Sequence, residues 1–399
     1  MTAASPPRRG FLRSACRHCV GLGALVSGLP AVGQGVAAPK PFRIPDRFSR
    51  PAADTDEGGL WSLMDREESR LRRSPLAIHD AALERYLGDL TCRLTAGHCP
   101  DIRIHVMRTP VFNASMAPNG MMQVWSGLLL RVENEAQLAA IVGHELGHYL
   151  ERHQLEQLRD AKDKAVLAQL VGLVGGVAGA VGRIGILASA FAFSREHEER
   201  ADRLGMRLMQ QAGYDGTQAP QVWENLLAEL KITGGEDVGS RSALFATHPP
   251  AGNRRDVLLQ LAAAGNGGVT GASEYQRVIA PLRFDWLLDE LKRGQFEESL
   301  VLFDRLAARS PGDAQLLFAR GEVRRLRGER DDLQLALDDL TAAVRAAQPP
   351  AQAFRSLGLV LQQRADQPGA ARAFEQYLAL APDAPDAAMI RASLSEPRP

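Results

Sequence analysis

The pentapeptide His144-Glu145-Leu146-Gly147-His148 constrains this chain more than any other feature. Leu138, Ile141 and Val142 precede it at helical spacing, so residues 135–160 read as one long helix. Residues four apart on a helix lie one turn apart on the same face, where two imidazoles can hold a single zinc ion. Glu145, next to the first imidazole, points partly into the same cleft and can take a proton from water activated by that ion. Catalytic zinc uses three protein ligands and keeps one position open. The fold therefore has to carry a distant segment back against this helix.

The stretch Arg195-Glu196-His197-Glu198-Glu199-Arg200-Ala201-Asp202 offers the missing ligand on a second helix, residues 195–212. Glu198 and Asp202 are four apart and share a face. His197 and Glu199 flank Glu198, and either can replace it if the helix is phased differently. Beyond Gly234 and Gly235, the loop reaches Thr247-His248-Pro249, where His248 is a further imidazole available to a cleft.

HELGH, followed some 50 residues later by SREHEERADRLG and then by Thr247-His248-Pro249 with Arg254, resembles the HtpX and CAAX-prenyl-protease type of zinc endopeptidase. The matching motifs span roughly residues 110–255. The resemblance implies one Zn2+ per chain held by His144, His148 and Glu198, with Glu145 as general base. It implies that Asp202 orients a ligand imidazole through its second ring nitrogen. His248 would stabilise the oxyanion or fill the open metal position when no substrate is bound. The family carries an Asn-Ala at the place of Asn113 and Ala114. In zincins a peptide commonly lies as an added strand beside the metal helix, so these two residues are expected near the substrate groove.

The two ends of the chain add context. Arg8, Arg9, Phe11 and Leu12 precede an apolar run to Pro30 and the small residues Val36-Ala37-Ala38, the pattern of a twin-arginine export signal cleaved near Ala38. Cys16 and Cys19 would leave with it. Cys92 and Cys99 remain, and an oxidising compartment favours a disulfide between them. At the other end, Phe354, Leu357, Gly358, Leu361, Ala370, Phe374 and Pro382 follow the tetratricopeptide pattern. Ser299, Phe303 and Pro311 repeat its second half about two 34-residue periods earlier. An export signal and C-terminal repeats make the chain similar to the periplasmic, BepA-like branch of the family. That likeness implies quality control of unfolded or misfolded envelope proteins, with the repeats binding client or outer-membrane assembly machinery. The alternative is a chaperone or adaptor whose zinc site is latent or mainly structural.

Lys+Arg and Asp+Glu are both 47, and this balance gives no cationic surplus for phosphate, so nucleic acid is excluded as a partner. Residues 165–182 carry no charge, yet a single membrane span there would put His148 and Glu198 on opposite sides of the bilayer. A lid, a packed helix or a shallow membrane contact over residues 165–193 fits better. The expected architecture is α+β: an export signal over 1–38, an irregular arm over 39–75, and a mostly helical zincin (gluzincin) metalloprotease domain with a small β-sheet over 76–264. A linker over 265–280 and an all-α, TPR-like repeat domain over 281–399 follow. Within the protease domain, a helix is expected over 76–96, a strand over 101–112, and a second strand from Met121 to Leu130 after the turn Pro118-Asn119-Gly120.

Overall fold

The computed structural model describes residues 44–160, 193–235, 248, 254–265 and 267–395. Residues 1–38, expected to be an export signal, and the apolar segment expected over 165–193, up to residue 192, lie outside the described residues. No described helix is long and apolar enough to cross a membrane.

The first element, α1 (Asp56–Leu71), falls inside what was expected to be an irregular arm. Its acidic residues are not a sign of disorder. Thr55 caps the helix, its hydroxyl accepting from Gly58 N at 3.0 Å, and Asp56 and Glu57 sit at the positive end of the helix dipole. Leu60, Leu63, Met64 and Leu71 are buried on one side.

The helix expected over 76–96 starts later. Ala77–Ile78 form β1, and α2 runs from Ala81 to Thr95 because Asp80 Oδ1 accepts from Ala82 N and Leu83 N at 3.0 and 2.8 Å. Strands β2 (Arg103–Met107), β3 (Ala114–Met116) and β4 (Met121–Trp125) complete a sheet of order β1-β2-β4-β3. β2 runs parallel to β4, and the two outer pairs are antiparallel. The second strand was expected to reach Leu130, but it stops at Trp125 and becomes α3 (Ser126–Arg131). A fully buried apolar run does not distinguish strand from helix by periodicity. The switch is enforced at Gly127, where a Cβ would lie 2.4 Å from Val111 N.

The expected helix over 135–160 breaks in two. α4 (Glu135–Leu150) and α5 (His153–Asp160) are separated by Arg152, whose φ is +58°. α4 is buried on all sides and is capped by Asn134, whose side chain accepts from Gln137 N at 2.9 Å. It crosses α6 (Arg195–Gln211) through glycines: a Cβ on Gly147 would come within 2.9 Å of Ala201 Cα, and one on Gly205 within 2.7 Å of His144 N. This close approach brings the second helix up to the histidines.

Helices α7 (Gln218–Gly234), α8 (Arg254–Ala263) and α9 (Ala272–Lys292) close the N-terminal half. The linker expected over 265–280 is shorter than that, because α9 already begins at Ala272. Its glycine-rich part is tied down by backbone bonds from Val269 N to Gly213 O and from Ala136 N to Thr270 O. The Tyr275 hydroxyl donates to Leu129 O, and Trp286 and Leu287 are buried, so α9 belongs to the core.

Helices α10 (Phe296–Arg309), α11 (Ala314–Arg327), α12 (Asp332–Arg345), α13 (Ala351–Gln363), α14 (Gln367–Leu380) and α15 (Ala387–Ser395) then pack, each on the next. Gly358 is small because the ring of Phe374 fills the space where its Cβ would stand.

An ionic lock joins the two halves. Arg131 is 6% exposed and meets Glu229 of α7 at 2.7 Å and Glu290 of α9 at 2.8 Å. Burial opposes its charge, but the two carboxylates outweigh burial and raise its pKa above the ordinary value. Arg305 of α10 also binds Glu229, at 2.8 Å.

Cys92 and Cys99 are joined by a disulfide, as expected, with Cα atoms 4.6 Å apart. It ties the end of α2 to a short 3-10 turn (Ala96–Asp101). From that turn, His98 Nε2 contacts Pro45 O at 2.8 Å, and its ring lies edge-on to Tyr149 of α4.

Glu68 supplies an acid-sensitive contact between α1 and the sheet. Burial pushes its pKa up, but hydrogen bonds from Arg103 and His105 outweigh burial and bring it down to about 2. Stabilisation by this carboxylate is full above its unfolded value near 4.5 and is lost as pH falls through about 2. Glu68→Gln is expected to lower stability by about 2 kcal/mol at pH 7 and to flatten the dependence between pH 5 and 2. Urea midpoints across that range check this, and parallel pH curves for the two proteins contradict it.

Candidate metal centre

His144 and His148 project from one face of α4. Glu198 and Asp202 project from the facing side of α6, and His248, which follows α7 in sequence, joins them. His144 Nε2 is 3.1 Å from His148 Nε2 and 3.3 Å from His248 Nδ1. Glu198 Oε1 lies 3.4 Å from His148 Nε2 and 2.9 Å from His248 Nδ1, and Glu198 Oε2 lies 3.6 Å from His144 Nε2. Four ligands at zinc–nitrogen distances near 2.05 Å in a tetrahedron stand about 3.3 Å apart. The observed separations bracket that value, so the donor set fits a zinc-sized ion.

The charge states of His148 and Glu198 fit as well. Burial first, then its neighbours His144 and His248, holds His148 well below the ordinary imidazole range, so its nitrogen lone pair is available. Burial pushes Glu198 up, but the charges of His248 and Arg254 outweigh it and keep the carboxylate ionised. Burial also lowers His248, whereas the carboxylates of Glu198 and Glu145 raise its pKa above the usual value.

Glu145 is 1% exposed, and its Oε1 has no hydrogen-bond partner among the described residues. It lies 3.4 Å from His248 Nε2. A buried carboxylate oxygen left open beside a cluster of metal donors is placed to handle a proton.

The three neighbouring candidates for the third ligand separate in space. Glu198 turns toward both α4 histidines, whereas His197 stacks on His153 and faces Glu156 at 3.6 Å. Glu199 pairs outward with Arg203. Asp202 Oδ1 is 2.9 Å from His144 Nδ1, the far nitrogen of a candidate ligand. Glu198→Ala is accordingly expected to strip bound zinc at least tenfold, and His197→Ala to retain it. Zinc content after dialysis checks this, and retention in the first with loss in the second reverses the assignment.

Asn113 and Ala114 lie at the sheet edge. β3 is the outer strand and packs against α4. Trp125 N donates to Asn113 O at 3.1 Å, while Asn113 Oδ1 is buried with no partner among the described residues. An apolar pocket opens beside His144 and Glu145, walled by Phe112, Ile141, Met206, Val222 and Trp223.

Residues 77–262 match the model of Peptidase family M48. The chain carries a peptidase family M48 domain. The matched span contains His144, Glu145, His148, Glu198, Asp202 and His248 and the edge strand. The chain is 34% identical over 155 residues to the mitochondrial metalloendopeptidase OMA1 of Arabidopsis thaliana, covering 39% of this chain and 30% of that protein. It is 26% identical over 221 residues to the beta-barrel assembly-enhancing protease of Escherichia coli (strain K12), covering 52% and 44%. It is 27% identical over 239 residues to the putative beta-barrel assembly-enhancing protease of Vibrio cholerae, covering 55% and 47%. The chain thus spans between 30% and 47% of the length of these relatives.

Two residues of the M48 domain that touch the cluster escaped the sequence reading. Arg254, noted only for its place after the Thr-His-Pro triplet, is 5% exposed. It binds Glu198 at 2.9 Å and Asp202 at 2.7 Å and lies 4.0 Å over the Trp223 ring. His153 lies against the far side of His148, and its only sequence signal is a spacing of five from that residue.

Proposed function

We propose that this protein is a zinc-dependent endopeptidase. The observation that carries the reading is the buried Glu145 carboxylate oxygen, without a hydrogen bond among the described residues, beside a tetrahedron-sized set of donors from His144, His148, Glu198 and His248. A zinc ion held there supplies Lewis acidity toward the scissile carbonyl and lowers the pKa of attacking water. Glu145 takes the proton from that water and returns it to the leaving amine. Asp202 fixes the ring orientation of His144. The outer edge of β3, with Asn113 and Ala114, receives the substrate as an added strand through main-chain bonds. The apolar pocket beside Glu145 takes a neighbouring apolar side chain.

His248 acts as a latch in this reading. Its Nδ1 lies among the donors, in the position substrate and water must share, so the His248 ring has to leave that position before cleavage. The alternative, oxyanion stabilisation, requires the same ring to face the substrate after that movement. Digestion of an unfolded protein such as casein tests both readings. Chelator is expected to abolish cleavage and zinc to restore it, and His248→Ala to raise basal cleavage severalfold. Chelator-insensitive cleavage overturns the metalloprotease reading, and a hundredfold fall in His248→Ala turns the latch into a catalytic group.

The biological setting rests on the sequence patterns. Export by the N-terminal signal would place the protease in the periplasm, acting on unfolded or misfolded envelope proteins. Helices α10–α15 would serve as tetratricopeptide-like repeats that bind client or outer-membrane assembly machinery. Support comes from the close Gly358–Phe374 contact and from buried Ser299, Phe303 and Ala370 at pattern positions. A chaperone or adaptor with a mainly structural zinc site is disfavoured by Glu145, because a structural site has no use for a proton acceptor.

A further inference from the structure

If Nε2 of His148 serves as a metal donor, it must present a lone pair, and the ring proton then sits on Nδ1. That Nδ1 lies 2.9 Å from Nδ1 of His153, a residue outside the HELGH pentapeptide and 0% exposed. We propose that His153 is the positioning residue for His148: it accepts the Nδ1–H of the ligand imidazole and passes the interaction on to Glu151. With its own Nδ1 accepting, neutral His153 carries its proton on Nε2, which faces Glu151 Oε2 at 3.4 Å without a hydrogen bond among the described residues, so the link to Glu151 is electrostatic. Glu151 Oε2 is held in turn by Arg200 at 2.5 Å, and Arg200 also binds Glu156 at 3.0 Å. The inference rests on the reading of His144, His148 and Glu198 as metal ligands.

The two ligand imidazoles are therefore supported differently. His144 meets a carboxylate directly, Asp202 at 2.9 Å, whereas His148 reaches its carboxylate through a second imidazole. A ligand imidazole whose other nitrogen is fixed has a defined tautomer and ring plane, and its basicity follows the partner's strength. A neutral imidazole is a weaker acceptor than a carboxylate, so His148 is the less strongly polarised of the pair.

The backbone makes this contact possible. On an unbroken helix, residue 153 would lie about 140° around the axis from residue 148 and would face away from it. The left-handed Arg152, with φ +58°, ends α4 and folds His153 back onto His148. Packing then locks both rings. Phe193 stacks on His148 with centroids 3.7 Å apart and planes 23° apart, and His197 stacks on His153 at 4.5 Å and 24°. His197 thus has a task distinct from that of neighbouring Glu198: it holds the relay imidazole rather than the metal.

The full chain tests this through zinc affinity, measured by competition with a chromophoric chelator, and through the visible spectrum of the cobalt-substituted protein. His153→Leu removes the acceptor and is expected to weaken zinc 10- to 100-fold and to alter the cobalt bands. His153→Gln keeps a carbonyl that can accept and is expected to stay within about threefold of wild type. Glu151→Gln, further out and partly exposed, is expected to weaken zinc severalfold and remains informative if His153→Leu fails to fold. Wild-type affinity and spectrum in folded His153→Leu, equal loss in the Leu and Gln variants, or unchanged affinity in Glu151→Gln overturns the relay. Failure of the wild-type chain to bind either metal instead overturns the metal-centre reading beneath it.

Discussion

Glu145→Gln should lose peptide cleavage by about 10³-fold or more while keeping its zinc and its thermal midpoint. The amide has the shape of the carboxylate but cannot take a proton from water. Oε1 of Glu145 makes no hydrogen bond among the described residues, so the exchange breaks none there and weakens only the charge contact with His248 Nε2 at 3.4 Å. The four-donor set does not include Glu145, so metal content is expected to stay at the wild-type level. Digestion of an unfolded protein, read beside metal analysis and a thermal melt of the same preparation, separates the three quantities. Full activity in the zinc-loaded variant would falsify the proposed mechanism, whereas loss of activity together with loss of zinc would show that Glu145 also maintains the site.

The largest effect on stability is expected at Arg131. Replacing it by Met should lower unfolding free energy by about 3–5 kcal/mol, because Glu229 and Glu290 would remain buried with their main counter-charge gone. Arg305 and Arg293 offset part of this, at 2.8 Å from Glu229 and 2.5 Å from Glu290. The triple variant Arg131→Met, Glu229→Gln, Glu290→Gln removes the uncompensated charges as well and should recover much of the loss. Denaturant midpoints of the single and triple variants measure this. A single variant as stable as wild type means that water reaches the carboxylates and the lock is not sealed.

The metal helix was legible in the sequence because two constraints coincide in it, helical apolar spacing and paired imidazoles one turn apart. From spacing, Glu198 was legible only as one of three neighbours, since residue spacing alone does not phase a helix about its axis; the family resemblance singled it out. The phase is settled by the crossing at Gly147, Ala201 and Gly205, where two helices come close enough to admit only one rotation. The break at Arg152 was hidden, because no glycine or proline marks it and an arginine carries the left-handed backbone. With the break hidden, so was His153. α3 was hidden for another reason, since it continues a fully buried apolar run in which strand and helix look alike. α1 was obscured by composition, because the Pro, Asp and Arg content of residues 39–75 reads as an irregular arm.

The Arg131 cluster also has a practical bearing on how the molecule can be divided. The family match ends at residue 262, yet a truncation there would discard Glu290 and Arg305 and leave Leu129 O without the Tyr275 hydroxyl. The family-matched portion is thus not a detachable cassette: its interior is finished by side chains encoded downstream. An expression fragment meant to isolate it has to run past Arg305, and grafts that exchange the C-terminal helices have to carry the matching acids and arginines with them.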